Sequence, residues 1–88
     1  MKDLVNNVFV AKVSIHSVKK DAIGVCVGHR VHRSGVIKWE LLMASGETIE
    51  VTEREASLVF KKVGLMTRRG STREETLLML EKQLFKKT

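Results

Sequence analysis

Cys26, His29 and His32 stand three apart in this 88-residue chain, with His16 ten positions upstream of Cys26. They are the residues whose types could ligate a metal or activate a nucleophile. Structural zinc takes about four converging ligands. In a strand, successive side chains point to opposite faces, so Cys26 and His32 share one face and His29 takes the other. Without a bulge the three do not converge, and no metal site is expected. A Cys–His nucleophilic pair needs hydrogen-bond reach, whereas the six positions from Cys26 to His32 span about 20 Å of strand. Cys26 reads more simply as a small buried apolar residue. A nuclease built on His29, His32 or His16 would need those side chains to cluster. No glycine-rich phosphate loop, paired-carboxylate signature or G-x-S-x-G occurs. Gly24 and Gly28 fall within one strand and form no dinucleotide motif. The chain is therefore read as non-catalytic, with no metal, cofactor or small-molecule substrate.

Recognition chemistry is the stronger theme. The formal net charge is +6, from 16 basic and 10 acidic residues, which favours a polyanionic partner. Trp39, flanked by Arg30 and His32, could stack a base and neutralise phosphate, or could anchor a protein interface, where tryptophan is enriched. The run His29-Arg30-Val31-His32-Arg33, with Lys38 on the returning strand, makes a basic hairpin arm. A two-stranded ribbon fits a DNA major groove; the same charges also keep an exposed edge from aggregating. Arg68, Arg69 and Arg73 surround the start of a later helix, where backbone N–H groups favour an anion. Paired aromatics of the RNA-binding-sheet type are missing, since the chain has no tyrosine and three phenylalanines.

The elements that must position these residues follow from periodicity. Phe9, Ala11, Val13 and Ile15 alternate with a second set, and period two with β-branched residues predicts a strand over about 5–18. A valine-rich strand is predicted over 23–33, a third over 36–44 and a fourth over 47–51, the last three joined by the turn signals Ser34-Gly35 and Ser45-Gly46. Ala56, Val59, Phe60 and Val63 then adopt helical spacing, predicting a helix over 53–63. Thr52-Glu53-Arg54-Glu55 is a capping box at its start. Lys61 and Lys62 suit its last turn, and Gly64 its end. A second helix is predicted over 72–86, opened by Ser71/Glu74 or Thr72/Glu75. The expected class is α+β: a four-stranded antiparallel meander, strongly curled towards a barrel if its third strand is to be buried, followed by two helices, ββββαα, in one domain spanning 1–88.

Two-residue loops would set Arg30 opposite Trp39, His29 opposite Glu40 and Gly28 opposite Leu41 in the second and third strands. They would set Leu42 opposite Ile49 and Glu40 opposite Val51 in the third and fourth. One face then carries Val25, Val27, Val31, Val36, Leu42, Ile49 and Val51. The other carries Cys26, Gly28, Arg30, His32, Ile37, Trp39, Leu41, Met43, Thr48 and Glu50. A sheet covered on one side should be polar on the other, yet Trp39, Ile37, Leu41 and Met43 make the second face apolar. Curling of the sheet, a helix on each face, or an exposed docking surface would each resolve the conflict.

A single cysteine excludes an internal disulfide and favours a reducing compartment. The opening Met1-Lys2-Asp3-Leu4 lacks the apolar run of a signal peptide, and no stretch reaches the ~20 apolar residues of a membrane span. The chain is expected to be cytoplasmic, with no membrane partner. The functional expectation is a small regulator, inhibitor or adaptor that binds another protein or a second copy of itself through Trp39, Ile37, Leu41, Met43, Arg30 and His32. The alternative is an RNA- or DNA-binding module using His29, Arg30, His32, Arg33, Lys38, Arg68, Arg69 and Arg73.

Overall fold

The computed structural model describes residues 4–15, 17–67 and 72–86, the last four as backbone only. Five strands and two helices follow in the order β1 (Asn7–Ala11), β2 (Ile23–Val31), β3 (Ile37–Met43), β4 (Thr48–Thr52), α1 (Glu53–Val59), β5 (Phe60–Leu65) and α2 (Arg73–Lys86). The class is α+β. The strands form one open antiparallel sheet in the order β4-β3-β2-β1-β5. The first four strands are the meander expected from the sequence; the fifth is an addition to it.

That fifth strand corrects the reading of 53–63 as one helix. The capping box forms as anticipated: the Glu55 N–H donates to the Thr52 hydroxyl and the Thr52 N–H to the Glu55 carboxylate. The helix then stops at Val59, with Phe60 already extended at φ −116° and ψ 149°. Phe60 to Leu65 pair with β1, which would otherwise be a bare edge carrying the apolar run Val8-Phe9-Val10. Phe60 meets Phe9 edge-to-face with ring centroids 6.3 Å apart, a favoured aromatic geometry. Tertiary pairing thus outweighs a short helical period. Lys61 and Lys62 lie on a strand instead of in a last helical turn, and Gly64 pairs with Val8 instead of ending a helix. The first strand is also shorter than expected, since 12–15 leave the ladder and, among the described residues, an isolated Ile15–Val18 bridge follows.

Both hairpin loops hold three residues, not two. At the first, Gly35 N–H donates to His32 C=O and His32 N–H to Val36 C=O; at the second, Gly46 pairs with Met43 and Met43 with Glu47 in the same way. This is a turn closed by a left-handed residue, and Gly35 (φ 84°) and Gly46 (φ 94°) supply it. The longer first loop puts His29 opposite Trp39 and Arg30 opposite Lys38, one step from the two-residue register. A bulge at Val27 adds a second step, so Cys26 faces Leu41 and Val25 faces Leu42. On β4, Val51 lies opposite Trp39 and Ile49 opposite Leu41.

The sheet is covered on both sides. On one, Trp39, Leu41, Met43, Cys26, Phe9 and Val51 pack with Ala56 and Val59 of α1. On the other, Val8, Ile23, Val25 and Leu42 pack with Leu80 of α2 and with Met66. Ile49 and Val51 therefore belong with Trp39, not with Leu42 as the two-residue register had it.

Candidate functional site

The two outer strands support the β2–β3 hairpin only at its base. The β1–β2 ladder ends at Val8 opposite Val25, extended by the Asn6 N–H to the Cys26 C=O. The β3–β4 ladder ends at Lys38 opposite Thr52. Among the described residues, 31–37 thus form a ribbon held by its own cross-strand bonds, Val31 opposite Ile37 and His32 bonded to Val36. The segment 28–38 carries Arg30, Arg33 and Lys38 and no carboxylate.

Its charges are loosely held. Arg30 lies 3.8 Å from Glu40, its side chain 65% exposed. His32 Nε2, a buried atom, lies 3.9 Å from Glu50 on β4. An exposed ion pair such as Arg30–Glu40 contributes at most about 1 kcal/mol, so Arg30 can turn to another anion at little cost. Arg33 is exposed in the turn, and Lys38 is half-buried at the base. Val31 (60% exposed) and Val36 (43%) add apolar surface to the same tip; the two-residue register had put both on the face of Val25 and Leu42.

The residues around Trp39 divide differently from expectation. Trp39, Leu41 and Met43 lie in the core, each at most 2% exposed, and Ile37 packs half-buried against them. Their apolar surface is used within the chain, against α1. The expected neighbours of the indole, Arg30 and His32, lie across the sheet from it. His29 takes their place, its ring centroid 5.1 Å from that of Trp39 and tilted by 49°.

The bulge at Val27 also rearranges the sulfur–imidazole set. Cys26 and His29 now share a face, with the Cys26 thiol 3.4 Å from the Gly28 carbonyl, and His32 is on the other. Among the described residues no three of His, Cys, Asp and Glu are grouped as a metal site; His16 lies outside them. Of the second basic cluster, Arg73 is exposed and its guanidinium donates to the Gly46 carbonyl, while Arg68 and Arg69 lie outside the described residues.

A cleft between α2 and the sheet, lined by Val27, Glu40, Leu42, Thr48, Arg73 and Thr76, measures about 240 Å³. That is below the ~300–1,000 Å³ of typical small-molecule pockets. Exposed Lys61 and Lys62, on the outer strand β5, escaped the sequence reading as surface features. Adjacent lysines suit an edge that must avoid pairing with other chains, and that rule was the available signal. Among the described residues no helix is long and apolar enough to cross a membrane. Comparison of the chain with protein-family models, curated proteins and solved structures returned no match, so its function is read from the arm's own chemistry.

Proposed function

We propose that this chain is a nucleic-acid-binding module that engages its partner through the β2–β3 arm. The observation that carries the reading is the unsupported ribbon 31–37 with Arg30, Arg33 and Lys38 on and beside it and no carboxylate in the segment 28–38. Each of these cations that displaces a counterion from phosphate adds about −0.9 to the slope of log affinity against log salt.

The reading includes a sheet rolled about Trp39. Four steps of ~4.8 Å would hold the edge strands of a flat sheet about 19 Å apart. Yet the seven residues of α1 join β4 directly to β5, and at ~1.5 Å per residue they cover only about 10 Å. Rolling brings the two edges towards each other beneath α1, and among the described residues the arm runs on past the ends of β1 and β4.

The test is a titration of labelled DNA and RNA oligonucleotides, followed by anisotropy at several salt concentrations. Binding that weakens with salt, and that is lost when Arg30, Arg33 and Lys38 are changed together to glutamate, supports the reading. Absence of binding to every oligonucleotide at low salt overturns it.

A second reading draws on exposed Val31 and Val36. An apolar tip suits a protein partner, as in a regulator, inhibitor or adaptor, or a second copy of the chain. Recovery of one stoichiometric protein partner, insensitive to nuclease and lost on changing Val31 and Val36 to serine, would favour it over nucleic acid.

A further inference from the structure

Within the nucleic-acid reading, on which this inference rests, we infer that the arm's ligand is B-form duplex DNA, entered from the major groove, with Arg33 at the base edges and Arg30 and Lys38 at the phosphates.

Three features of the arm select among nucleic acids. The first is its reach. Past the last β4 pairing, Lys38 with Thr52, the ribbon runs through Val31/Ile37 and His32/Val36 to the turn at Arg33–Gly35. At ~3.3 Å per residue that is about 10 Å of unsupported ribbon. The major groove of B-DNA is ~8.5 Å deep and ~12 Å wide, and it admits a two-stranded ribbon. The turn therefore arrives at the groove floor as the β4 end meets the groove rim.

The second is the placement of charge. Arg30 and Lys38 are directly opposite each other at that rim level, one on each strand, where phosphates flank the groove. Arg33, exposed in the turn, is the guanidinium nearest the floor, and its planar fork matches guanine O6 and N7. The exposed side chain of Val36, beside the turn, offers apolar contact to a thymine methyl.

The third is the lack of a large exposed aromatic ring on the arm, where exposed His29 offers a small imidazole. Single strands are held by exposed aromatic rings on a basic groove, but residues 28–38 contain no Phe, Tyr or Trp, and Trp39 is buried. The His29 ring lies against Trp39. Duplex RNA fits poorly as well, because its major groove is too deep and narrow for side chains to read.

The experiment compares a DNA duplex, an RNA duplex and a DNA single strand of one sequence, by anisotropy with the whole chain at one moderate salt concentration. The expected result is DNA duplex binding about tenfold or more tighter than either other form. Arg33→Ala should weaken the duplex about tenfold; in a repeat at several salt concentrations it should keep the salt slope, whereas Arg30→Ala should lower its magnitude by about 0.9. The pair Lys61→Ala and Lys62→Ala, at the far edge of the sheet, should leave the ranking of the three forms unchanged. Equal or tighter binding of the single strand or of RNA overturns the duplex assignment and leaves the nucleic-acid reading standing. No binding of any form removes both. Circular dichroism of Arg33→Ala, a surface turn variant, checks that its fold is kept.

Discussion

Replacing Trp39 by alanine should cost this protein a large part of its stability. The indole is 2% exposed and sits at the centre of the cluster that takes in Ala56 and Val59, the two buried side chains of α1. A buried tryptophan hides about 150–250 Å², which at ~25 cal/mol per Å² is worth roughly 4–6 kcal/mol. Alanine recovers a little of this, and the remaining cavity costs more, so a loss of about 3–5 kcal/mol is expected. A chain of 88 residues has roughly 4–13 kcal/mol in total at ~0.05–0.15 kcal/mol per residue. The variant should therefore unfold at much lower urea, with an unchanged slope if the unfolded state is unaltered. Its melting temperature should fall by more than about 12 °C. In the parent protein, tryptophan emission should be blue-shifted and shielded from iodide. A Trp39→Ala variant within about 1 kcal/mol of the parent, or an indole open to quencher, would refute the placement of Trp39 in the core and reopen it as a docking residue.

Gly24→Ala should destabilise by about 1–3 kcal/mol through overpacking, because a Cβ there would lie 2.5 Å from Met43 Sδ and 3.1 Å from the Leu42 carbonyl oxygen. Urea unfolding with Met43→Ala in the background should show part of that loss removed. Leu80 is the fully buried apolar side chain by which α2 joins the second cluster, so Leu80→Ala should cost about 2–5 kcal/mol. Amide exchange should show α2 losing protection first; a cost below about 0.5 kcal/mol, typical of a surface site, would mean α2 is not docked there.

Local signals were legible where a few neighbouring residues decide the outcome. The Thr52–Glu55 capping box, the two Ser-Gly turns and the alternation of β2, β3 and β4 are of this kind. Loop length was not, because Ser34-Gly35 is compatible with a two- or a three-residue loop, and one residue reverses every facing pair. The extra loop residue and the bulge at Val27 then slide the base of β2 by two positions against β3. This restores the original face, so Cys26 still sides with Leu41 and Val25 with Leu42. Above the bulge only one step has been made, and His29 replaces Arg30 opposite Trp39. The candidate arm was thus readable as a basic segment, but which of its cations share a face was not. Phe60 to Leu65 was illegible for another reason: its partner β1 lies far away in sequence, and a period of 3.6 over one turn resembles the start of many segments.

The pairing of β1 with β5 also sets the order in which the molecule can be assembled. Val10 meets Lys61 across about fifty intervening residues, so this seam closes a long loop, at an entropic cost that must be met before any contact offsets it. During synthesis β1 leaves the ribosome ahead of the other four strands, and its outer edge waits for β5, the last of them, before it is covered. Folding should be slow for a chain of this length, with the seam formed late. A nascent chain halted before Phe60 should expose Val8-Phe9-Val10 to chaperones.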